Sequence, residues 1–180
     1  MSIYKGNIYK NHNPKQHDIL NQFKSRVLGT NQDLATYLSS GFWNDFDQTP
    51  RKFNLTNTGI YAKNGILTYN TTGNIYDPNG ISSERSYLID ESFKLLQSTL
   101  GINFQKTTNF EADLRFSDSS SEAFASSSTF SDNIIYSHIN IPSNWNGSLN
   151  GFGNYTFHTI LHEIGHALGL GHLGNYNGTA

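Results

Sequence analysis

The stretch "HEIGHALGLGH", residues 162–172, contains three of the seven histidines in a chain of 180 residues. His162 and His166 are four residues apart, so on a helix their imidazoles lie one turn apart on the same face. A zinc ion held by three imidazoles keeps its fourth position for water, as in catalytic rather than structural zinc sites. Glu163, beside the first histidine, is placed to take a proton from such a water.

The third ligand has to come from beyond the helix. His158 and His166 are eight residues apart, roughly 12 Å along a helix axis, which is too far for one ion bonded to both. His172 is reachable if the chain turns back, and Gly169 suits that turn because glycine enters the left-handed conformation without a Cβ penalty. We therefore expect His172 to be the third ligand, and neither His158 nor His138 to bind the metal.

The longer stretch "TILHEIGHALGLGHLGNYNG", residues 159–178, resembles the active-site segment of the serralysins, secreted bacterial zinc endopeptidases of the metzincin group. Upstream, "NGILTYN", "ADLRFSD" and "AFASSSTF" resemble successive sheet strands of that family, in the same order. Leu173 stands where the family usually has proline, and Asn175 where aspartate is common. The resemblance implies hydrolysis of peptide bonds in proteins through a zinc-bound water, with Glu163 as the general base.

The order of predicted elements indicates an α+β fold. We expect a metzincin-type upper subdomain, a twisted mixed sheet of about five strands with two main helices, lacking the lower subdomain. Strands are predicted at Ile66–Tyr69 and within "INFQKT", "ADLRFSD" and "NIIYSHINI", and a helix capped by Ser82 or Ser83 follows the first strand. Residues 1–50 are interpreted as a propeptide-like segment with a short helix at 15–28, and residues 51–180 as the zinc-protease domain through its third ligand.

Two polar stretches, residues 117–133 and 142–154, are predicted to be loops. Within the first, Ala123, Phe124 and Ala125 resemble the short edge strand at the rim of the family's substrate cleft. A polypeptide substrate is therefore expected to bind there in extended form by strand addition. The alternative is that this segment is an ordinary surface loop.

Composition restricts the partners. A net charge of −2 and 14% charged residues argue against nucleic acid or an anionic membrane surface, both of which require clustered lysine and arginine. No apolar run is long enough for membrane insertion, and the absence of cysteine excludes a disulfide scaffold. The resemblance implies a monomer exported without a leader, by a C-terminal signal beyond residue 180, with calcium bound only in C-terminal repeats that also lie beyond it.

Two alternatives to a working protease remain. The chain ends eight residues after His172, and its one methionine is Met1, whereas the family has a methionine-containing turn beneath the zinc. We therefore expect the chain alone to bind zinc with little proteolysis, as a catalytically incomplete fragment. The other alternative is a non-enzymatic zinc-binding or partner-binding module, in which a fourth protein ligand would close the site. After His172 the one candidate for that ligand is Tyr176, whose phenol would be unusual in a structural site.

Overall fold

The structure is a computed structural model that describes residues 2–3, 29–144 and 155–173. It has an α+β fold in which helices pack on a twisted mixed sheet, as predicted. The strands are β1 (Ser2–Ile3), β2 (Ile66–Asn70), β3 (Asn103–Lys106), β4 (Leu114–Ser117), β5 (Phe124–Phe130) and β6 (Asn133–Asn140). The order across the sheet is β1-β5-β6-β4-β2-β3. Strands β2, β3, β4 and β6 are mutually parallel, whereas β5 is antiparallel to β6 and the two-residue β1 pairs antiparallel with β5.

Two long helices cover one face of this sheet. The first, α3 (Ser83–Leu100), is capped by the Ser82 side chain, which accepts a hydrogen bond from the Arg85 amide, so of the two predicted caps Ser82 is the one used. The second, α4 (Tyr155–Ala167), carries the histidine motif. The apolar faces of the two helices and the inward side chains of the strands together form one hydrophobic core. This core includes Leu67, Ile89, Phe93, Leu114, Phe116, Ile139, Ile160 and Ile164.

A short helical region lies between β1 and β2 in the chain. It consists of α1 (Asn31–Thr36), one π-helical stretch (Tyr37–Gly41) and α2 (Phe42–Asp45), and we call it the 31–45 segment. Its start is fixed by a capping box in which Thr30 and Asp33 bond reciprocally. The helix predicted at 15–28 lies outside the described residues.

The prediction that the serine-rich stretch 117–133 is a loop, with a short edge strand only around Phe124, is wrong in its extent. Seven residues of this stretch form β5, which pairs with β6 along its whole length. The pattern of serine, threonine and alanine has little apolar alternation to reveal a strand, because the buried positions include Ser127 and Ser128. The second predicted loop, 142–154, falls mostly outside the described residues, which include only 142–144 of it.

The strand β6 departs from simple alternation at its start. The register with β5 shifts between Ser128 and Thr129, which face Tyr136 and Ile134 and so leave Ile135 as an extra residue. Strict alternation along "NIIYSHINI" predicts that Ile135 shares a face with Ile139, but the bulge gives that position to Ile134. Ile134 is fully buried in the same core.

The face of the sheet away from α3 and α4 is polar and holds His138. The Ser117 hydroxyl donates its one proton to Asn140 Oδ1 at 2.8 Å and therefore accepts a hydrogen bond from His138 Nε2 at 2.6 Å. Tyr76 stacks on the His138 ring at 3.8 Å between centroids. Burial, with repulsion from Arg115, lowers the pKa of His138 to about 4. His138 is thus a buried, neutral residue whose Nε2 already donates a hydrogen bond within the protein.

Among the described residues, no helix combines the length and the apolar character that a membrane crossing requires.

Candidate metal centre

The helix α4 brings the first two histidines of the motif together. Its sequence places apolar residues at spacings of three and four, which is the pattern of a helix with one buried face. His162 and His166 lie on the opposite side, one turn apart, with their ring centroids 4.5 Å from each other. The buried face comprises Phe157, Ile160, Ile164 and Ala167.

The chain reverses direction directly after α4. Gly169 has a φ of +106°, a conformation that favours glycine. Its amide donates to the His166 carbonyl at 3.0 Å, and the Leu170 amide donates to the Gly165 carbonyl at 3.0 Å. These bonds satisfy carbonyls of the last helical turn and lead the chain back towards α4. His172 consequently faces the two helical histidines.

The three histidines form one cluster. His166 Nε2 lies 3.0 Å from His162 Nε2 and 2.9 Å from His172 Nε2. One ligand atom from each residue lies within 4.8 Å of the others, which is the geometry of a possible metal site. Nitrogens bonded to one tetrahedral zinc ion at 2.0–2.1 Å would be roughly 3.3 Å apart, so the side chains as placed fit such an ion with small adjustments.

The tautomer of His166 suits metal binding. Its Nδ1 lies 2.9 Å from the Leu170 carbonyl oxygen, and since a carbonyl only accepts, Nδ1 carries the proton. In the neutral ring Nε2 then has a free lone pair, directed at the cluster. A backbone carbonyl that orients a histidine in this way is typical of metal ligands in proteins.

All three imidazoles favour the neutral form. Burial lowers the pKa of His166 to about 4, with repulsion from the neighbouring histidines adding to the effect. Burial also lowers the pKa of His162, and burial with repulsion from His162 lowers that of His172. Because a metal ligand must be an unprotonated imidazole, these surroundings keep the ligand form available around neutral pH.

Glu163, which follows His162 in the chain, is buried, with 7% of its surface exposed. Burial raises the pKa of Glu163 to about 7. No charged neighbour among the described residues contributes to that shift. A carboxyl group of this kind can both accept and release a proton near neutral pH.

The histidine cluster lies in a groove of about 560 Å³ whose other walls are mostly apolar. Three sections of chain contribute to it: the 31–45 segment, α4 and the turn after α4. Its lining comprises Leu38, Leu161, His162, Gly165, His166, Leu170, Gly171, His172 and Leu173. The groove thus offers the histidine nitrogens at one side and an apolar surface around them.

The predicted substrate strand lies at one side of the sheet. Ala123 precedes β5, and Phe124 and Ala125 are opposite Asn140 and Ile139 in β6. The outer edge of β5 is paired by β1 at Ser128 and Thr129. None of the three predicted residues lines the groove around the histidines, and their role in binding a peptide stays a prediction.

His158 lies on α4 one turn before His162 and is exposed, outside the cluster of three.

Sequence reasoning missed the contribution of the 31–45 segment. Trp43 Nε1 donates to the Gly169 carbonyl at 2.9 Å, and the Leu38 carbonyl accepts from the Gly171 amide at 2.7 Å. Phe42 packs edge-on against His172, with 5.5 Å between ring centroids. The adjacent aromatics in "GFWND" were the available signal, but nothing in their spacing relates them to the motif. The division of the chain at residue 50 stays a prediction.

No protein-family model matches the chain, and a search of curated proteins finds no significant relative. The site's assignment accordingly rests on the residues and their geometry: an α+β domain whose mixed sheet has five strands besides the two-residue β1, and a cluster of three histidines that is a possible metal site.

Proposed function

We propose that this chain carries the catalytic zinc centre of a metzincin endopeptidase similar to the serralysins. The observation that supports this most is the convergence of His162, His166 and His172, with a buried glutamate, Glu163, directly after the first of them in the chain. Three histidines on one open site are the ligand set of catalytic zinc, whereas structural zinc sites use four protein ligands. Within the described part of the chain, the cluster has three members.

Each residue then has a defined task in hydrolysis. Bound zinc supplies Lewis-acid activation of water and of the scissile carbonyl. The imidazoles of the cluster hold the ion, and His166 is oriented for this by the Leu170 carbonyl. Glu163 accepts the proton of the attacking water and returns it to the leaving amine. Its pKa of about 7 matches that exchange, and a cation beside the carboxyl group would counteract the effect of burial and lower this pKa, which favours the basic form.

We further propose that the substrate is a polypeptide in extended form. The strand β5 has its inner edge paired with β6, and its first residues, Phe124 and Ala125, are not paired by β1. A peptide adding to that edge would gain main-chain hydrogen bonds with little dependence on sequence. Broad specificity is the expected result. The protein would act as a monomer outside the cell, with zinc as its resident metal and any calcium bound elsewhere.

The alternative function is a non-catalytic zinc-binding module. The observation that favours it is the apolar groove around the histidines, which a partner protein could fill. The two functions differ in the need for Glu163, which is not a metal ligand in either. The residue is therefore the best single probe of catalysis.

The test compares the natural protein with its Glu163→Gln variant on casein and on quenched peptides. We expect hydrolysis that a chelator abolishes and zinc restores, and a loss of at least a hundredfold in Glu163→Gln, since general base catalysis contributes about 10²–10⁴-fold. Zinc content should be the same in both proteins. Hydrolysis unaffected by Glu163→Gln would contradict the proposed mechanism, and zinc binding without hydrolysis would favour the binding module or the catalytically incomplete fragment over a working protease.

A further inference from the structure

The turn after α4 depends on contacts from a distant part of the chain. The α-helical hydrogen bonds of α4 fix the backbone of His162 and His166, but they end before His172. Two backbone groups between the helix and His172 bond to the 31–45 segment instead. The Gly169 carbonyl accepts from the Trp43 indole, and the Gly171 amide donates to the Leu38 carbonyl.

These contacts leave no space for the turn to shift. A Cβ atom added to Gly169 would lie 2.1 Å from the Arg51 carbonyl oxygen, and one added to Gly171 would lie 2.2 Å from the Phe42 ring. Both are closer than non-bonded atoms approach one another. The backbone of the turn is therefore in direct contact with the 31–45 segment and with the residues that follow it.

Trp43 is the centre of this arrangement. Its side chain is 5% exposed, and its indole N–H bond to Gly169 is buried. The Arg51 guanidinium lies 4.0 Å from the centroid of its ring, a favourable cation–π geometry. The chain beyond Arg51 is anchored in turn, because the Lys52 carbonyl accepts from the Ile134 amide at 2.8 Å at the start of β6.

We infer that the 31–45 segment is a clamp that positions the third metal ligand, with Trp43 as its main positioning residue. The inference rests on the proposed metal site but not on peptide hydrolysis. The metal affinity of the site depends on the position of His172, and the contacts of the clamp with Gly169 and Gly171 hold the turn that carries His172 in place. Because coupling between two binding equilibria is reciprocal, zinc also stabilises the docked clamp.

The π-helical stretch of the clamp fits this role. It places Leu38 so that its carbonyl bonds to Gly171 while its side chain lines the groove. Stretches of π-helix occur in proteins frequently at functional sites, since they are less regular than an α-helix and reorient backbone groups. The same residue therefore contacts both the ligand turn and the space beside the metal site.

The experiment measures zinc affinity by competition with a fluorescent chelator. Trp43→Phe keeps an aromatic ring beneath Arg51 but removes the N–H donor to Gly169. Asn44→Ala, at an exposed position one residue along the same helix, is the matched control. We expect zinc to bind 10–100-fold more weakly to Trp43→Phe, as for other residues that orient metal ligands, and within twofold of wild type to Asn44→Ala.

A second readout separates positioning from general stability. If Trp43 served folding alone, Trp43→Phe would destabilise the metal-free and zinc-bound proteins equally and leave zinc affinity unchanged. With the clamp as inferred, zinc should slow hydrogen exchange of the amides of residues 31–45 in wild type, and less so in Trp43→Phe.

The outcomes are distinct. Unchanged zinc affinity in folded Trp43→Phe, or exchange in residues 31–45 that zinc does not alter, overturns the clamp while leaving the metal site intact. If Trp43→Phe does not fold, Phe42→Leu takes its place, since it removes the ring contact with His172 and is expected to weaken zinc binding about tenfold. A wild-type chain that binds no zinc overturns the proposed metal site and the clamp with it.

Discussion

Replacing Gly169 by alanine tests whether the turn after α4 is as tightly constrained as its contacts indicate. The residue has a φ of +106°, and a Cβ there would lie 2.1 Å from the Arg51 carbonyl oxygen. The backbone conformation alone costs a non-glycine residue about 2 kcal/mol. Moving Arg51 away costs about 2 kcal/mol more, in the range of other overpacked sites. We therefore expect Gly169→Ala to lower the free energy of unfolding by about 4 kcal/mol.

Gly101 is the matched control for this substitution. It also has a positive φ, +69°, but no atom lies within 4 Å of the position its Cβ would take. Gly101→Ala should cost about 1 kcal/mol, because its φ lies in the left-handed helical region, which non-glycine residues tolerate better than the φ of +106° at Gly169. Urea denaturation at constant zinc concentration compares the two variants with wild type through their midpoints and slopes. A loss in Gly169→Ala no greater than that in Gly101→Ala would refute the close approach of Arg51 to the turn.

Two further predictions concern parts of the fold outside the metal site. Burial lowers the pKa of His138 to about 4 in the folded protein, whereas a histidine in the unfolded chain has a pKa of about 6.5. As pH falls below 6.5, the unfolded chain therefore takes up the proton first. The free energy of unfolding should decrease by up to about 3 kcal/mol between pH 6.5 and 4. Urea titrations across that range should show a shallower dependence in His138→Gln, and equal slopes would contradict the burial argument. Ser82→Ala should cost about 1 kcal/mol by removing the cap of α3, whereas Ser83→Ala should cost almost nothing. If Ser82→Ala and Ser83→Ala lowered the free energy of unfolding equally, in thermal or urea unfolding, the Ser82 side chain would not be the cap that stabilises α3.

The parts of the fold that the sequence predicted correctly depend on local patterns. The spacing within residues 162–172 sets which histidines share a helix face, and the apolar spacing of α3 together with Ser82 sets that helix and its start. Such signals come from residues within a turn or two of one another. They were sufficient to predict α3, α4 and the mixed sheet, but not the 31–45 segment.

The parts that escaped prediction depend on contacts between distant residues or on local irregularity. The strand β5 has serine at buried positions, so its burial is decided by pairing with β6 and not by its own hydrophobicity. The bulge at Ile135 shifts a whole face by one residue without any sequence marker. The bond from Trp43 to Gly169 joins residues 126 positions apart, and no pattern in either segment indicates the other.

The zinc content of the purified chain is the most direct test of the central claim, that His162, His166 and His172 bind one metal ion. Wild type and His158→Ala, the matched control from the same helix, should each contain one zinc per chain by mass spectrometry or elemental analysis. Alanine at any of the three clustered histidines should reduce zinc to a small fraction of that value. Equal zinc in all the variants, or loss of zinc in folded His158→Ala alone, would contradict the assignment of the metal centre.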